Sequence, residues 1–141
     1  MKTLIVISTL AIVSGIAAAP AAPADQAART SRGKVYSKEQ AARGATQYAK
    51  LCAGCHDPAK LVPGKEKGPE LVGEKFLAEW EGRPLGALME SILLTMPNDG
   101  SAELTEPQTA DIVAHMLKAN GYPEGTAALQ YAAGKDIVIV K

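Results

Sequence analysis

The residues at 52–56, Cys-Ala-Gly-Cys-His, constrain this chain more than any other feature. Two thiols three positions apart on a helical turn project from neighbouring places, so each can add to one of two vinyl groups on the same edge of a porphyrin. The next residue, His56, can place a neutral imidazole nitrogen under the iron. C-x-x-C-H is therefore typical of a c-type heme site, with Cys52 and Cys55 as covalent anchors and His56 as the proximal metal ligand.

Three other interpretations of the cysteine pair stay open. The chain has only two cysteines, and in an exported protein a pair usually forms a disulfide. A thioredoxin-like redox pair is expected within a βαβ pattern, which this sequence lacks. A zinc site would need two further ligands, and His115 is the only histidine left to complete it.

The first 24 residues are predicted to be a secretory signal peptide. Lys2 supplies a positive charge, and the apolar run at residues 4–16 is too short to span a bilayer comfortably. Cleavage is expected between Ala19 and Ala24, with Asp25 as the favoured mature N-terminus; an uncleaved anchor is the alternative. No later stretch is long and apolar enough to span a membrane, so the sequence predicts a periplasmic protein without a membrane span after cleavage.

The rest of the chain divides into three parts. Residues 25–35 are small, polar and basic without a helical or strand period, which predicts a flexible lead-in. One domain follows at residues 36–123. Residues 124–141 form a C-terminal extension that could be an added strand, a docking arm or a segment packed on the core.

An all-α fold of about four helices is predicted for the domain. Capping-box patterns begin the first and last helices, one from Ser37 to Gln40 and one from Thr105 to Gln108. Apolar periodicity places two helices between them, and a loop rich in proline and glycine separates the first helix from the second. The first predicted helix runs roughly over residues 38–51 and the last begins near Glu106 and is ended by Gly121. Between them, one short helix carries the apolar residues at 76–80, and another carries those at 85–92 with Pro84 in its first turn.

Composition and charge limit the function classes. With one Phe, one Trp and four Tyr, the side chains offer little bulk, which a buried cofactor would supply. The net charge is zero, so binding to nucleic acid is not expected. The balance hides a gradient, because residues 29–67 carry nine basic and three acidic residues, whereas residues 68–136 carry four and eleven. A dipolar molecule that docks to a charged partner is predicted.

The order of these motifs resembles class I cytochromes c over about residues 36–121. It comprises a helix, C-x-x-C-H, Gly-Pro-Glu-Leu at 68–71, Met96 before Pro97, and a final helix. The resemblance implies a cytochrome c fold around one covalently attached heme c, and electron transfer rather than enzymatic catalysis. It also implies that the Pro69 carbonyl accepts a hydrogen bond from His56, and that Gly44 and Tyr48 form the small and aromatic pair where the first and last helices cross.

Four downstream residues are candidates for the sixth iron ligand: Met89, Met96, Met116 and His115. Met89 lies on the apolar stripe of its helix, where a methionine usually fills the core. Met96 leaves the helix and precedes Pro97, an arrangement that resembles the family's distal ligand. We therefore favour Met96, and His/Met ligation would raise the reduction potential relative to His/His.

Partners are expected to be redox proteins. Residues 76–123 also resemble cytochromes that accept electrons from periplasmic quinoprotein dehydrogenases, which implies such a dehydrogenase as donor and an oxidase as acceptor. A heme peroxidase or gas sensor with an open sixth position is one alternative, and a fixed subunit of a dehydrogenase or oxidase, held by residues 124–141, is another.

Two residue sets are expected near the heme. Lysines at the thioether edge would steer an acidic partner (Lys50, Lys60, Lys65 and Lys67), and three donors would reach the propionates (Tyr48, Trp80 and Arg83).

Overall fold

The computed structural model describes residues 29–57, 59–60 and 63–141. The predicted signal peptide and residues 25–28 lie outside these ranges. The all-α prediction is confirmed, and one helix more than the four predicted is present because the C-x-x-C-H motif is itself helical. The helices are α1 (Lys38–Leu51), α2 (Ala53–His56), α3 (Glu74–Trp80), α4 (Leu85–Thr95) and α5 (Glu106–Ala119), with a 3-10 helix at Tyr131–Asp136.

Side-chain caps begin α1 and α5, as the sequence predicts. At α5 the box is complete, since the Thr105 hydroxyl accepts from the Gln108 N–H and the Gln108 side chain accepts from the Thr105 N–H. At α1 the Ser37 hydroxyl accepts from the Gln40 N–H at 3.2 Å. The Gln40 side chain does not return to the cap; it bonds both backbone groups of Leu129, at 2.9 and 2.7 Å. Buried backbone groups require hydrogen-bond partners, and the Gln40 amide supplies them to Leu129, 89 residues further along the chain.

Helices α1 and α5 cross at Gly44. A Cβ at this position would lie 1.8 Å from the Asp111 carbonyl oxygen, so only glycine permits this approach of the two backbones. Arg43 and Asp111 close the crossing with two hydrogen bonds of 2.9 Å. The close contact implied by the resemblance is present, centred on Asp111.

Residues 29–35 differ from the predicted flexible lead-in. Strand β1 (Arg29–Thr30) pairs in parallel with β2 (Ile137–Val138). Ser31 is fully buried, and its hydroxyl accepts from the Val140 N–H at 3.1 Å. Val35 is buried in the core. Strand β1 has only two residues, too few to show a strand period, and its partner strand comes from the far end of the chain.

The C-terminal extension is both a strand and a packed part of the core. Leu129, Ile137 and Ile139 are buried in the same cluster as residues of α4 and α5. The 3-10 helix approaches α4 closely, since a Cβ on Gly86 would lie 2.8 Å from the Lys135 nitrogen. None of the helices in the described part of the chain has the length and hydropathy that crossing a bilayer requires.

Candidate heme-binding site

The C-x-x-C-H motif forms the turn in which α1 ends and α2 begins. The Cys52 N–H donates to Tyr48 O at 2.9 Å and so ends α1, and the His56 N–H donates to Cys52 O at 3.0 Å. Both thiols are free rather than joined in a disulfide. Burial, with a smaller contribution from Cys55, raises the pKa of the Cys52 thiol to about 11.

A cleft brings four of the five predicted site residues together. Cys52, Cys55, His56 and Met96 all line it. Most of its other walls are apolar. These apolar residues are Leu51, Leu71, Ile92, Pro97, Ile112 and Met116.

The fifth predicted residue, Pro69, contacts the cleft through His56. The His56 Nδ1 lies 2.8 Å from the Pro69 carbonyl oxygen, the contact that the resemblance implies. A carbonyl only accepts, so Nδ1 carries the proton and Nε2 keeps its lone pair. The ring packs on Gly68, where a Cβ would lie 2.4 Å from His56 Cε1. The loop therefore fixes both the tautomer and the plane of the imidazole.

A second cleft adjoins the first and shares His56, Leu71 and Met116 with it. Tyr48 and His115 line this cleft, with ring centroids 5.0 Å apart. Burial lowers the pKa of His115, and Lys118 and Lys60 lower it further. His115 does not line the cleft that contains Met96.

Two of the candidate sixth ligands, Met96 and Met116, line the first cleft. Met96 caps α4, donating its N–H to Ile92 O at 3.0 Å before the backbone becomes extended. Met116 lies within α5 and is 2 % exposed. Met89 is fully buried and packs on Gly134, as its place on the apolar stripe predicts.

The expected lysine rim is partly neutralised. Lys60 pairs with Asp57 at 3.5 Å and Lys65 with Asp99 at 2.8 Å, so two of the four lysines already have acidic partners. Lys50 is exposed and forms no ion pair with another described residue; the same holds for Lys67.

Of the three expected propionate donors, Tyr48 alone lines one of the two clefts. Arg83 instead pairs with Glu79 at 2.8 Å, one helical turn away, and lies 4.3 Å from the centre of the Trp80 ring. The local i, i+4 spacing favours this pair.

A family model described as "Cytochrome C oxidase, cbb3-type, subunit III" matches residues 39–116, more than half of the chain. The chain belongs to this family of cytochromes c. Its fold is the cytochrome c fold, its cofactor is covalently bound heme c, and its role is electron transfer. Neither the comparison with curated proteins nor that with solved structures found a match.

The residues present in this cytochrome fit the cofactor. Two free thiols and one imidazole with an available Nε2 meet at an apolar cleft, which is what covalent attachment and proximal ligation of a c-type heme require, and the thioethers of Met96 and Met116 line the same cleft. Among the described residues, no group of three or more His, Cys, Asp and Glu side chains could hold another metal ion.

Sequence reasoning missed part of the cleft wall. Ile112 was not singled out, and Met116 was considered only as a candidate ligand. The two lie four positions apart on α5 and form a second apolar stripe beside the one that faces α1, and this spacing could have revealed the wall. The contact of Asn120 with the Pro69 loop had no sequence signal, because it joins segments 47 and 49 residues apart.

Proposed function

We propose that this protein is a periplasmic single-electron carrier whose heme is ligated by His56 and Met96. The observation that supports this most directly is the cleft in which both side chains meet the thiols of Cys52 and Cys55. Heme c, when bound, supplies one-electron exchange at its iron. The two cysteines would anchor it through thioether bonds.

The chain's own residues account for the rest of the mechanism. The Pro69 carbonyl holds the proton of His56 on Nδ1, which presents Nε2 to the cleft as a neutral ligand. Apolar side chains of the cleft would exclude water from the bound heme, among them Leu51, Ile92 and Ile112. Exclusion of water favours the less charged, reduced form of the heme iron. Met96 offers a soft thioether that favours the reduced form, so a mid- to high-potential carrier is expected.

The spectrum of the holoprotein tests the ligation. Wild-type protein is expected to be six-coordinate, low-spin and resistant to carbon monoxide. Met96→Leu, which nearly conserves volume, should open the sixth position and admit carbon monoxide. Met89→Leu is the matched control outside the cleft and should leave the spectrum unchanged. Met116→Leu tests the second methionine in the cleft. A high-spin wild-type spectrum would contradict the carrier proposal and favour a peroxidase or sensor.

Attachment and export have their own measurement. Mass spectrometry of denatured periplasmic protein should find heme retained on a chain that begins at Asp25. Cys52→Ser and Cys55→Ser should each retain one thioether bond, and the double variant should lose the heme. A full-length chain found only in the membrane fraction would contradict cleavage of the signal peptide.

A fixed subunit of an oxidase is the second candidate, favoured by the match to the family of cbb3-type cytochrome c oxidase subunit III. The extension at residues 124–141 is a poor anchor for such a complex, because Leu129, Ile137 and Ile139 are buried in the protein's own core. Co-purification in mild detergent separates the two candidates. A carrier should elute alone at the size of a monomer, whereas a subunit should remain with its oxidase at high ionic strength.

A further inference from the structure

The side chain of Asn120 joins the end of α5 to the loop that carries Pro69. Its Oδ1 accepts from the Gly73 N–H at 2.8 Å. Its Nδ2 donates to Leu71 O at 3.0 Å and to Met116 O at 2.8 Å. One half-buried amide thus satisfies three backbone groups on two segments.

The orientation of this amide is determined by its partners. The Gly73 nitrogen only donates, and the carbonyls of Leu71 and Met116 only accept. A flipped amide would place an oxygen against two carbonyls and an NH₂ against an N–H. Asn120 therefore has one productive orientation, which a residue of different shape or chemistry cannot reproduce.

The loop that Asn120 holds has few other fixed points. Residues 66–73 contain no helix or strand. The Gly68 N–H donates to Cys55 O at 3.0 Å, and Pro69 O accepts from His56. Asn120 fixes the other end at Leu71 and Gly73. The Pro69 carbonyl lies between these two tethers, so its position depends on both.

We propose that Asn120 is a positioning residue for His56, acting by holding the Pro69 carbonyl in place to receive the imidazole Nδ1–H. The proposal rests on the ligation by His56 proposed above. A firm hydrogen bond at Nδ1 makes the imidazole a more basic ligand and stabilises ferric iron. Loss of the Asn120 contacts therefore weakens this bond and raises the reduction potential.

The test compares two neutral substitutions of Asn120 with a matched control. Asn120→Leu has nearly the same size and removes all three hydrogen bonds, and Asn120→Ser provides a smaller polar residue if the leucine variant does not fold. Gln40→Leu is the control, because Gln40 also binds the backbone of a distant segment through its amide, at 2.7 and 2.9 Å to Leu129. Neither Gln40 nor Leu129 lines the two clefts.

Two readouts on the ferrous and ferric holoprotein distinguish positioning from a merely structural role. Nuclear magnetic resonance measures hydrogen exchange of the His56 Nδ1–H, and voltammetry measures the reduction potential. Both Asn120 variants should exchange this proton about tenfold faster or more and show a higher potential. Gln40→Leu should lower the unfolding midpoint and leave both readouts at the wild-type values.

The possible failures are distinguishable. If His56→Gly retains the wild-type low-spin spectrum, His56 is not a ligand and the proposed function itself is wrong. If His56 ligates the iron but neither Asn120 variant changes the exchange rate or the potential, the positioning role alone is overturned. Equal changes in the Gln40→Leu control would also overturn it, because the effect would then reflect general loosening.

Discussion

At the scale of single residues, the site depends on small groups that permit close contacts. Gly68 allows the His56 ring to lie against the loop, and its backbone φ lies outside the left-handed region, so sterics alone require glycine. The neighbouring Pro69 contributes through its carbonyl, which any residue at that position would also carry. Substitution should therefore be tolerated less at position 68 than at position 69.

Gly68→Ala is predicted to displace the His56 ring. A methyl group there would lie 2.4 Å from Cε1, so either the ring or the loop has to move and the bond to Pro69 O weakens. We expect lower heme content and a partly high-spin spectrum, measured by pyridine hemochrome and absorption. Pro69→Ala keeps the carbonyl and is the control; an equal loss in both variants would contradict the steric explanation.

Asp99 is predicted to titrate well below an ordinary aspartate. The Lys65 ammonium, together with Ser101, lowers the pKa of the Asp99 carboxyl. The contribution of the Lys65–Asp99 pair to folding stability is complete above the pKa of aspartate in the unfolded chain, about 3.9. It is lost as the pH falls through the lower pKa of Asp99 in the folded protein. Both groups are partly exposed, so the effect on stability should be small. Carbon-13 titration should show the Asp99 pKa rising in Lys65→Gln and unchanged in Lys75→Gln.

At the scale of elements, the two ends of the described chain act as one unit. Strand β1 pairs with β2, and Ile139 follows β2 into the core, where its N–H donates to Arg83 O at 3.0 Å. The extension thereby covers α4. Its strand β2 pairs with β1, which lies at the other end of the described chain and reaches β2 only in the folded protein. Residues 29–35 and 129–139 should unfold together with the helices.

Ile139→Ala is predicted to destabilise the holoprotein by about 2–5 kcal/mol, because Ile139 is fully buried and alanine leaves a cavity. Urea unfolding followed by circular dichroism measures the difference. Leu94→Ala is the control, since Leu94 is 72 % exposed and should change stability by no more than about 0.5 kcal/mol. A near-zero effect at Ile139 would mean that the extension is not part of the cooperative core.

At the scale of the whole molecule, charge is distributed unevenly along the chain, basic before Gly68 and acidic after it. Ion pairs within the protein reduce this asymmetry near the heme motif, as in Lys60 with Asp57 and Lys65 with Asp99. Lys50 and Lys67 remain as the exposed lysines of the predicted rim without such a pair among the described residues. Electrostatic steering of an acidic partner should therefore be moderate and depend mainly on Lys50 and Lys67.

Oxidation of the ferrous protein by ferricyanide is predicted to slow as ionic strength rises, because salt screens the attraction of an anion to the lysines over a distance of about 10 Å at 0.1 M. A cationic cobalt complex should show the opposite trend. In stopped-flow measurements, Lys50→Gln and Lys67→Gln should each reduce the salt dependence more than Lys60→Gln does. A rate indifferent to salt with both oxidants would contradict electrostatic steering.

The sequence by itself determined the chemistry and the helices of this cytochrome. C-x-x-C-H predicts the cofactor because the two thiols and the imidazole must lie on one helical turn, and residues on one turn are close together in the sequence. The same holds for the caps at Ser37 and Thr105, since short-range hydrogen bonds and helix periodicity depend on neighbouring residues. The close approach at Gly44 was instead implied by the resemblance to class I cytochromes c.

Only the tertiary structure decided how distant segments meet. It placed Gln40 on Leu129, β1 on β2 and Asn120 on the Pro69 loop, contacts that span 47 to about 110 residues. It also paired Lys65 with Asp99, so the charge of a lysine predicted to lie on the docking rim is partly neutralised. Such contacts form because buried backbone groups and charges take whichever partner the folded chain brings near, and no local pattern records that choice.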